Sequence, residues 1–575
     1  MAFDGFTLKA VIQELNACLI NGKITKIYQP LPDEIILGIY CNGTNYALSC
    51  NVSTLYGLHL TTLSKPNPLC APNFCMLLRK HLIGFKVKSI SMLGLERIAI
   101  LELEGYNELN DLVTYRLIIE LMGKHSNIIL VNQNATIVDS LKHFSTFSGS
   151  LRNILPNMPY EFPELNTLDI STITNISGFY ENIPYNLKIG SLFEYFLIHF
   201  PGTSKSLLKY AISHLGLMEQ FDFENFKQLL TYLQDLLVKI QYKQVDCTYF
   251  EKDYVLIPTA IPTTSLQVNF FLDDYYSQKE QQEEFTQYRN SLLTFIAKKL
   301  KKIEKKSDEV NKKIQECTQM DVYQLYGELL TNNLYRLNEK HADHVILENY
   351  YQQNEPIEIP LDVALSPADN AKKYFKKYHK LKNTISIVTV QKEELSKEID
   401  YLESIVYELQ IAKTIIELDH IYQEMEDNNL FARRTPVKQG AKAFQVKRQK
   451  NKRLGSKKQS DFLSYQIDGF TVLVGKNNQE NDYLTLKIAK ENDIWFHVKD
   501  IQGSHVILVV NQKQPSYETI NKVASISAYY SKAKLSSNVP VDYTFVKYVK
   551  KPSKAKPGMV TYVNYQTVNV QPASI

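Results

Sequence analysis

A chain of 575 residues, at about 150 residues per domain, divides into roughly four units and is too long for one compact core. With 44% hydrophobic and 22% charged residues, wholesale disorder is excluded. The net charge of +4 is too weak to name a partner, so the placement of charge matters more than its sum.

Residues 1–170 predict a mixed α/β domain. Apolar residues over 6–19 recur at helical spacing, and the Ile-, Leu- and Val-rich runs 34–40, 98–103, 113–120 and 127–131 read as strands. Pro156, Pro159 and Pro163 then interrupt both kinds of element. Residues 171–275 predict a mostly helical domain. Within it, Phe200-Pro-Gly-Thr-Ser-Lys reads as a glycine turn and a serine-started helix, as in one hairpin of a helix-hairpin-helix unit. Such a turn either aims a helix N-terminus at a phosphate or is an ordinary capped helix start.

Over 276–430 the apolar spacing changes to seven. Ile296, Ile303, Val310 and Cys317 form one series; Val388, Leu395, Leu402, Leu409 and Ile416 form a second. Two seams around a compact middle predict a long antiparallel coiled coil within one chain, in preference to a dimerising one. Residues 431–460 predict a basic linker. Between 433 and 458 there are eleven Lys/Arg and no acid, a composition that cannot bury a core and suits nucleic acid better than a solvated loop. Arg433, Arg434, Lys447, Arg448, Lys450, Lys452 and Arg453 are its candidate RNA contacts. Residues 461–575 predict a small α/β domain, with strands over 470–474, 483–488, 494–498 and 505–510 and a helix over 515–531. Lys547, Lys550, Lys551, Lys554 and Lys556 make a second basic cluster.

Enzyme signatures are missing. No P-loop, dinucleotide fingerprint, G-x-S-x-G or H-E-x-x-H occurs, so no catalytic residue, cofactor or metal is expected. Seven cysteines without a C-x-x-C pair read as thiols of a reducing cytoplasm. The N-terminus lacks a signal-peptide layout, and no apolar run approaches membrane-spanning length, so no membrane partner is expected.

Three constellations remain. Glu96 and Arg97 sit in the turn Gly94-Leu95-Glu96-Arg97; they are either a surface ion pair or an acid orienting a guanidinium fork for phosphate. Lys124 and His125 lie between two strands, either in a hairpin turn or against a phosphate. Asp493, Trp495 and His497 share one face of a strand by its period of two, followed by Lys499 and His505. Here the alternatives are a buried tryptophan with a satisfied histidine, or an aromatic that stacks on an exposed base.

The segments FDGFTLKAVIQEL, GLERIAILELEG, ELMGKHSNIILV, YGELL, DNAKKYFKKYHKLK, DIWFHVKDIQGSHVIL and KPGMVTYVN resemble the NFACT family, in order and almost from end to end. DIWFHVKD with GSHV is the most specific part. The resemblance implies an α+β multidomain architecture: an N-terminal domain like that of formamidopyrimidine DNA glycosylases, a helix-hairpin-helix domain, a long antiparallel coiled coil with a middle domain, and a small α/β RNA-binding domain. Those glycosylases use a proline after Met1 as nucleophile; here position 2 is Ala2. The family implies ribosome-associated quality control in the cytoplasm. Its partners are the large ribosomal subunit with its rRNA, peptidyl-tRNA, alanyl-tRNA and a small Hsp15-like protein, RqcP. The outcome is mRNA-independent alanine tailing, with peptide bond formation left to the ribosome. Asp4, Glu96, Arg97, Lys124 and His125 then fall to tRNA, with Glu96 where the family carries Asp. Asp493, Trp495, His497, Lys499, His505 and the linker cations fall to ribosomal RNA. Family members are often labelled fibronectin-binding proteins, so a surface adhesin with fibronectin as partner is the rival reading.

Overall fold

The computed structural model describes residues 3–574 apart from 108, 146–151, 164–167, 189, 201, 219, 263–265, 338–342, 432–461, 512 and 554. It comprises two compact units that divide between Glu283 and Glu284.

The first unit opens with α1 (Gly5–Leu19), then β1 (Lys23–Leu31), β2 (Glu34–Cys41), β3 (Thr44–Asn51), β4 (Gly57–Leu60), α2 (Asn73–Leu82), β5 (Lys86–Met92), β6 (Ile98–Tyr106), β7 (Leu112–Glu120), β8 (Asn127–Asn132) and β9 (Ile137–Ser140). The strands form one nine-stranded sheet in the order β4-β3-β2-β1-β5-β6-β7-β8-β9. Asn42 and Gly43, both with positive φ, make the two-residue turn that returns β2 onto β3. Helices α3 (Ile176–Glu181), α4 (Tyr185–Lys188), α5 (Leu192–His199), α6 (Lys205–Leu215) and α7 (Phe223–Gln241) follow, then the hairpin β10 (Val245–Phe250) and β11 (Asp253–Pro258), and α8 (Gln267–Cys317).

These helices share one hydrophobic core with the sheet, running from Phe3 and Leu15 through Leu101 and Phe226 to Tyr276. Helix α1 lies inside that core, which is why Phe6, Leu8, Val11, Leu15 and Leu19 are all fully buried. Its one acid, Glu14, accepts the Val268 and Asn269 amides at 3.0 Å each and the Asn269 side-chain amide at 2.7 Å. A buried carboxylate thus caps the first turn of α8, where the helix end favours negative charge.

The second unit continues α8 and adds α9 (Met320–Asn332), β12 (His344–Asn349), β13 (Glu355–Pro360), α10 (Pro367–Ile411) and α11 (Ile415–Asp427). Ile296, Ile303 and Val310 of α8 share a core with Val388, Leu395, Leu402 and Leu409 of α10. The α8 end of the arm near 288–299 packs on residues 419–431, and α9 packs on the start of α10, so the pairing is antiparallel and internal. At 1.5 Å per residue, the 45 residues of α10 extend about 68 Å. The seam expected to reach Ile416 stops earlier. The chain leaves the helix at Ala412, and Thr414 with Glu417 forms a capping box that starts α11 in a new direction, leaving Ile416 exposed.

The last part contains β14 (Leu463–Ile467), β15 (Phe470–Val474), α12 (Asn478–Tyr483), a π-helical turn (Leu484–Ile488), β16 (Ile494–Val498), β17 (Val506–Val509), α13 (Tyr517–Tyr529), β18 (Val539–Phe545), β19 (Val549–Lys550), β20 (Thr561–Tyr562) and β21 (Gln566–Val570). Its six-stranded sheet has the order β14-β15-β17-β16-β18-β21. The strand expected over 483–488 is absent. The adjacent residues Leu484 and Thr485 are both buried while Leu486 and Ile488 face outward, which breaks the period of two that a strand requires.

The base of the arm meets this domain through two buried acids. Glu408 accepts the Asn478 amide, while the Asn478 side chain donates to Glu424 Oε1 at 3.2 Å and to Ser404 Oγ at 2.9 Å. Tyr401 donates to Glu424 Oε1 at 3.1 Å. Burial pushes Glu424 up to about 7, with Asp482 adding to the rise and Asn478, Tyr401 and Lys551 opposing it. Burial and Glu424 drive Glu408 well above the carboxylate range. The folded state therefore favours the protonated acids. For Glu424 this contribution is complete below the ordinary value of 4.5 and is lost as pH rises toward 7, on the order of 3 kcal/mol, and Glu408 adds a loss of the same sign. Urea unfolding between pH 5 and 8 should show the wild type losing stability relative to a Glu408→Gln/Glu424→Gln double variant, with histidine contributions cancelling in the difference. Parallel pH profiles would contradict this.

Candidate nucleic-acid interface

Three segments far apart in sequence meet at the start of α1. Asp4 caps this helix, its Oδ1 accepting the Thr7 amide at 2.8 Å. Its Oδ2 accepts the Ser204 hydroxyl at 2.7 Å. Ser204 in turn caps α6, its Oγ accepting the Leu207 amide at 3.1 Å. One carboxylate thus serves two helix N-termini. The Gly5 amide donates to the Gly202 carbonyl at 2.9 Å. The turn at 94–97 closes the remaining side. A Cβ on Gly5 would lie 2.0 Å from the Leu95 carbonyl oxygen, and one on Gly202 would lie 2.4 Å from it. Gly202 also holds φ at +83°, a backbone that glycine adopts without strain. Of the two readings of the Phe200-Pro-Gly-Thr-Ser hairpin, the capped helix start is the one found, since Ser204 and Asp4 fill the place a phosphate would take.

Asp4 is buried, so its expected contact with tRNA is corrected to a supporting role beneath the surface. Burial raises its carboxyl; the Thr7 and Ser204 hydrogen bonds and the Arg97 charge oppose that rise. Arg97 is held from elsewhere. Its Nη1 donates to the Tyr56 hydroxyl at 2.7 Å, and its guanidinium carbon lies 5.4 Å from that ring's centroid. The Tyr56 carbonyl accepts the Tyr276 hydroxyl at 2.9 Å, and Tyr276 stacks on His59 at 5.1 Å. Arg97 therefore takes its orientation from Tyr56 and not from Glu96. Glu96 is half-buried; burial raises its carboxyl and Arg97 lowers it.

Lys124 and His125 form an exposed turn (Gly123–His125) between β7 and β8. The Leu121 amide donates to the Arg97 carbonyl at 2.8 Å, which ties this turn to the 94–97 turn at the same end of the sheet. Glu96, Arg97, Lys124 and His125 thus lie on two turns at one end of the sheet. Tyr56, Tyr276 and Ser204 complete the support. Only Ser204 carried a sequence signal, as a helix cap after the Pro-Gly turn.

The C-terminal constellation corrects the expectation of a base-stacking tryptophan. Trp495 has no exposed surface. Strand β16 lies between β17 and β18, so both of its edges are paired, and its two faces pack into separate cores, Ile494 and Phe496 in one and Trp495 in the other. The Trp495 ring is parallel to His497 at 5.6 Å, meets the edge of His505 at 5.2 Å and lies 4.8 Å from Tyr562. Asp493, also buried, precedes the strand and accepts the Lys490 amide at 2.8 Å and the Val510 amide at 3.0 Å. His505 pairs through Nδ1 with the Thr485 hydroxyl at 2.8 Å. Burial, then the neighbouring His497, lowers His505 to about 3; burial likewise lowers His497. Both imidazoles are neutral at physiological pH and offer no charge to a phosphate. Lys499 is half-buried, its ammonium 5.7 Å from the Tyr565 ring centroid. Arg433, Arg434, Lys447, Arg448, Lys450, Lys452 and Arg453 lie outside the described residues, as does Lys554.

A large antiparallel sheet with a clamped arginine at its end, a long helical arm and a small basic sheet domain define a multidomain α+β protein. A profile for the NFACT N-terminal and middle domains matches residues 4–443, and one for the NFACT protein RNA-binding domain matches residues 461–564. The chain belongs to the NFACT family. It is 34% identical over 589 residues to the Rqc2 homolog RqcH of Bacillus subtilis and 35% identical over 581 residues to that of Streptococcus suis; each alignment covers 100% of this chain and 98% of the relative. The solved N-terminal part of a fibronectin/fibrinogen-binding protein from Streptococcus suis is 29% identical, covering 48% of this chain and 100% of its own, with a TM-score of 0.39.

Two substitutions separate support from contact. Gly202→Ala should destabilise the first unit by about 3 kcal/mol or more, because backbone must move and φ is unfavourable. Asp493→Ala should cost the second unit about 2 kcal/mol by stranding two amides, with Asp493→Asn intermediate. Thermal unfolding of the purified variants checks both, and wild-type midpoints would refute them.

Proposed function

We propose that this protein acts in ribosome-associated quality control. It binds a large ribosomal subunit that still carries peptidyl-tRNA, recruits alanyl-tRNA, and directs alanine tailing of the nascent chain without mRNA. The end-to-end relation to proteins named Rqc2 homolog RqcH carries this reading. The protein works by binding and positioning. Holding an acceptor tRNA where its amine can attack contributes proximity, which can be worth several kcal/mol, while the ribosome forms the bond. An Hsp15-like partner assists on the subunit.

The site at the sheet end suits the tRNA role. Among the described residues the Arg97 guanidinium donates a hydrogen bond only to Tyr56, which leaves its other donors for a phosphate or a base edge. Lys124 and His125 add exposed donors beside it. The eleven cations of 433–458 suit ribosomal RNA.

Arg97→Ala should leave subunit binding largely intact and reduce alanine addition at least a hundredfold in a purified tailing reaction. Normal tailing would refute the role. Replacing the Lys and Arg residues of 433–458 by Gln should shift co-sedimentation with large subunits to lower salt. An unchanged salt series would count against the linker's part.

A further inference from the structure

With Trp495 buried, the second layer of the C-terminal domain presents a different surface. The side of the sheet opposite α13 packs Trp495 and Ile507 against Leu484, Val546 and Val549. Two segments form that cover. The π-helical turn and the residues after it expose Leu486 and Ile488, at 40% and 41%, along with Lys487 and Lys490. Alongside runs 545–550, joined to the first segment by the Lys547 amide on the Glu491 carbonyl at 3.3 Å and the Val546 amide on the Asp493 carbonyl at 2.9 Å. This second segment exposes Phe545, Lys547 and Lys550. The Lys547 ammonium lies 5.3 Å from the Phe545 ring centroid and 5.1 Å from that of Tyr548.

We propose that Lys487, Lys490, Lys547 and Lys550, together with Leu486 and Ile488, form the surface on which this domain takes an unpaired stretch of RNA. The assignment rests on the proposed function and names the residues that carry it. Four exposed ammonium groups on two adjoining segments match a phosphate backbone; of the two acids on the joining segment, Glu491 is exposed and Asp493 is buried. Exposed apolar side chains between lysines are costly on a water-facing surface and useful against bases and sugars. Phe545 pairs with Ile494 and so lies on the α13 side of the sheet edge; apolar contact to bases on the opposite layer falls to Leu486 and Ile488. A π-helical turn is uncommon and concentrates at functional sites; here it turns Leu486 and Ile488 outward. Trp495 and its histidines act as the floor of this layer.

Fluorescence anisotropy of the full-length chain with a labelled 15-nucleotide oligouridine, across a KCl series, tests the surface. Lys487→Gln/Lys490→Gln/Lys547→Gln/Lys550→Gln should raise Kd at least fivefold at 100 mM KCl and flatten the slope of log Kd against log salt by about 3, at roughly 0.7 per phosphate contact. Leu486→Ser/Ile488→Ser should raise Kd about fivefold with the slope unchanged. Lys522→Gln, on α13 at the opposite face, should do neither. Equal affinity and slope in the quadruple variant overturn the assignment while leaving the proposed function standing. So does a loss seen only with a blunt RNA duplex, or a wild type that co-sediments with large subunits yet ignores oligouridine. A wild type that binds neither RNA nor large subunits removes the proposed function itself.

Discussion

A single buried carboxylate holds the first unit's functional end together. Asp4 accepts from Thr7 in its own helix and from Ser204, two hundred residues later in the chain. Burying a charge is unfavourable unless it is hydrogen-bonded and paired. Two helix N-termini and the nearby Arg97 supply those conditions. Because Gly5, Leu95 and Gly202 leave no room for a Cβ, the three segments have one relative placement. The turn bearing Glu96 and Arg97 is fixed by that packing, and Tyr56 fixes the guanidinium on top of it. An arginine that must meet a partner at a defined distance gains from such a mounting, since less rotamer freedom remains to be lost on binding.

Much of the architecture was legible from periodicity. The helix at 6–19, the strands at 34–40, 98–103, 113–120, 127–131, 470–474 and 494–498, and both seams of the arm correspond to observed elements. β3 was overlooked although Asn42-Gly43 is a strong hairpin signal, and β14 likewise although Asp468-Gly469 precedes β15. β14 even alternates apolar and polar residues over Leu463–Ile467, whereas β3 is polar at its start and buried through its second half, so its pattern does not alternate. The single core shared by the sheet and the helices of 171–241 was not legible, because which apolar faces meet is a matter of tertiary packing. At 483–488 the alternation of leucine and isoleucine suggested a strand, yet two of those side chains are outside. Apolar residues at a binding surface defeat a pattern rule that assumes they point inward.

The candidate site was legible in part, and for the same reason. Glu96, Arg97, Lys124 and His125 are surface groups whose chemistry shows in their residue types. Tyr56 shows nothing in sequence, since a tyrosine that clamps an arginine reads like any other tyrosine. Asp4 and Trp495 stand out in the sequence, but residues that stand out divide into those that touch a partner and those that hold the residues that do. Sequence alone does not separate the two; burial does.

That division changes how loss of function at the C-terminal domain is to be read. Asp493 ties together the amides that lead into and out of neighbouring strands, and Trp495 fills the space beneath the π-helical turn. Removing either one disturbs the outer layer without any ligand present. Weakened RNA binding in such variants is therefore compatible with no contact at all. Charge offers the cleaner signature. An exposed lysine that meets a phosphate changes the salt dependence of binding, whereas a collapsed floor lowers affinity by reducing the folded fraction, at any salt concentration. The neutral, buried histidines fall on the side of the floor, and the lysines of 487–490 and 547–550 on the side of the contact.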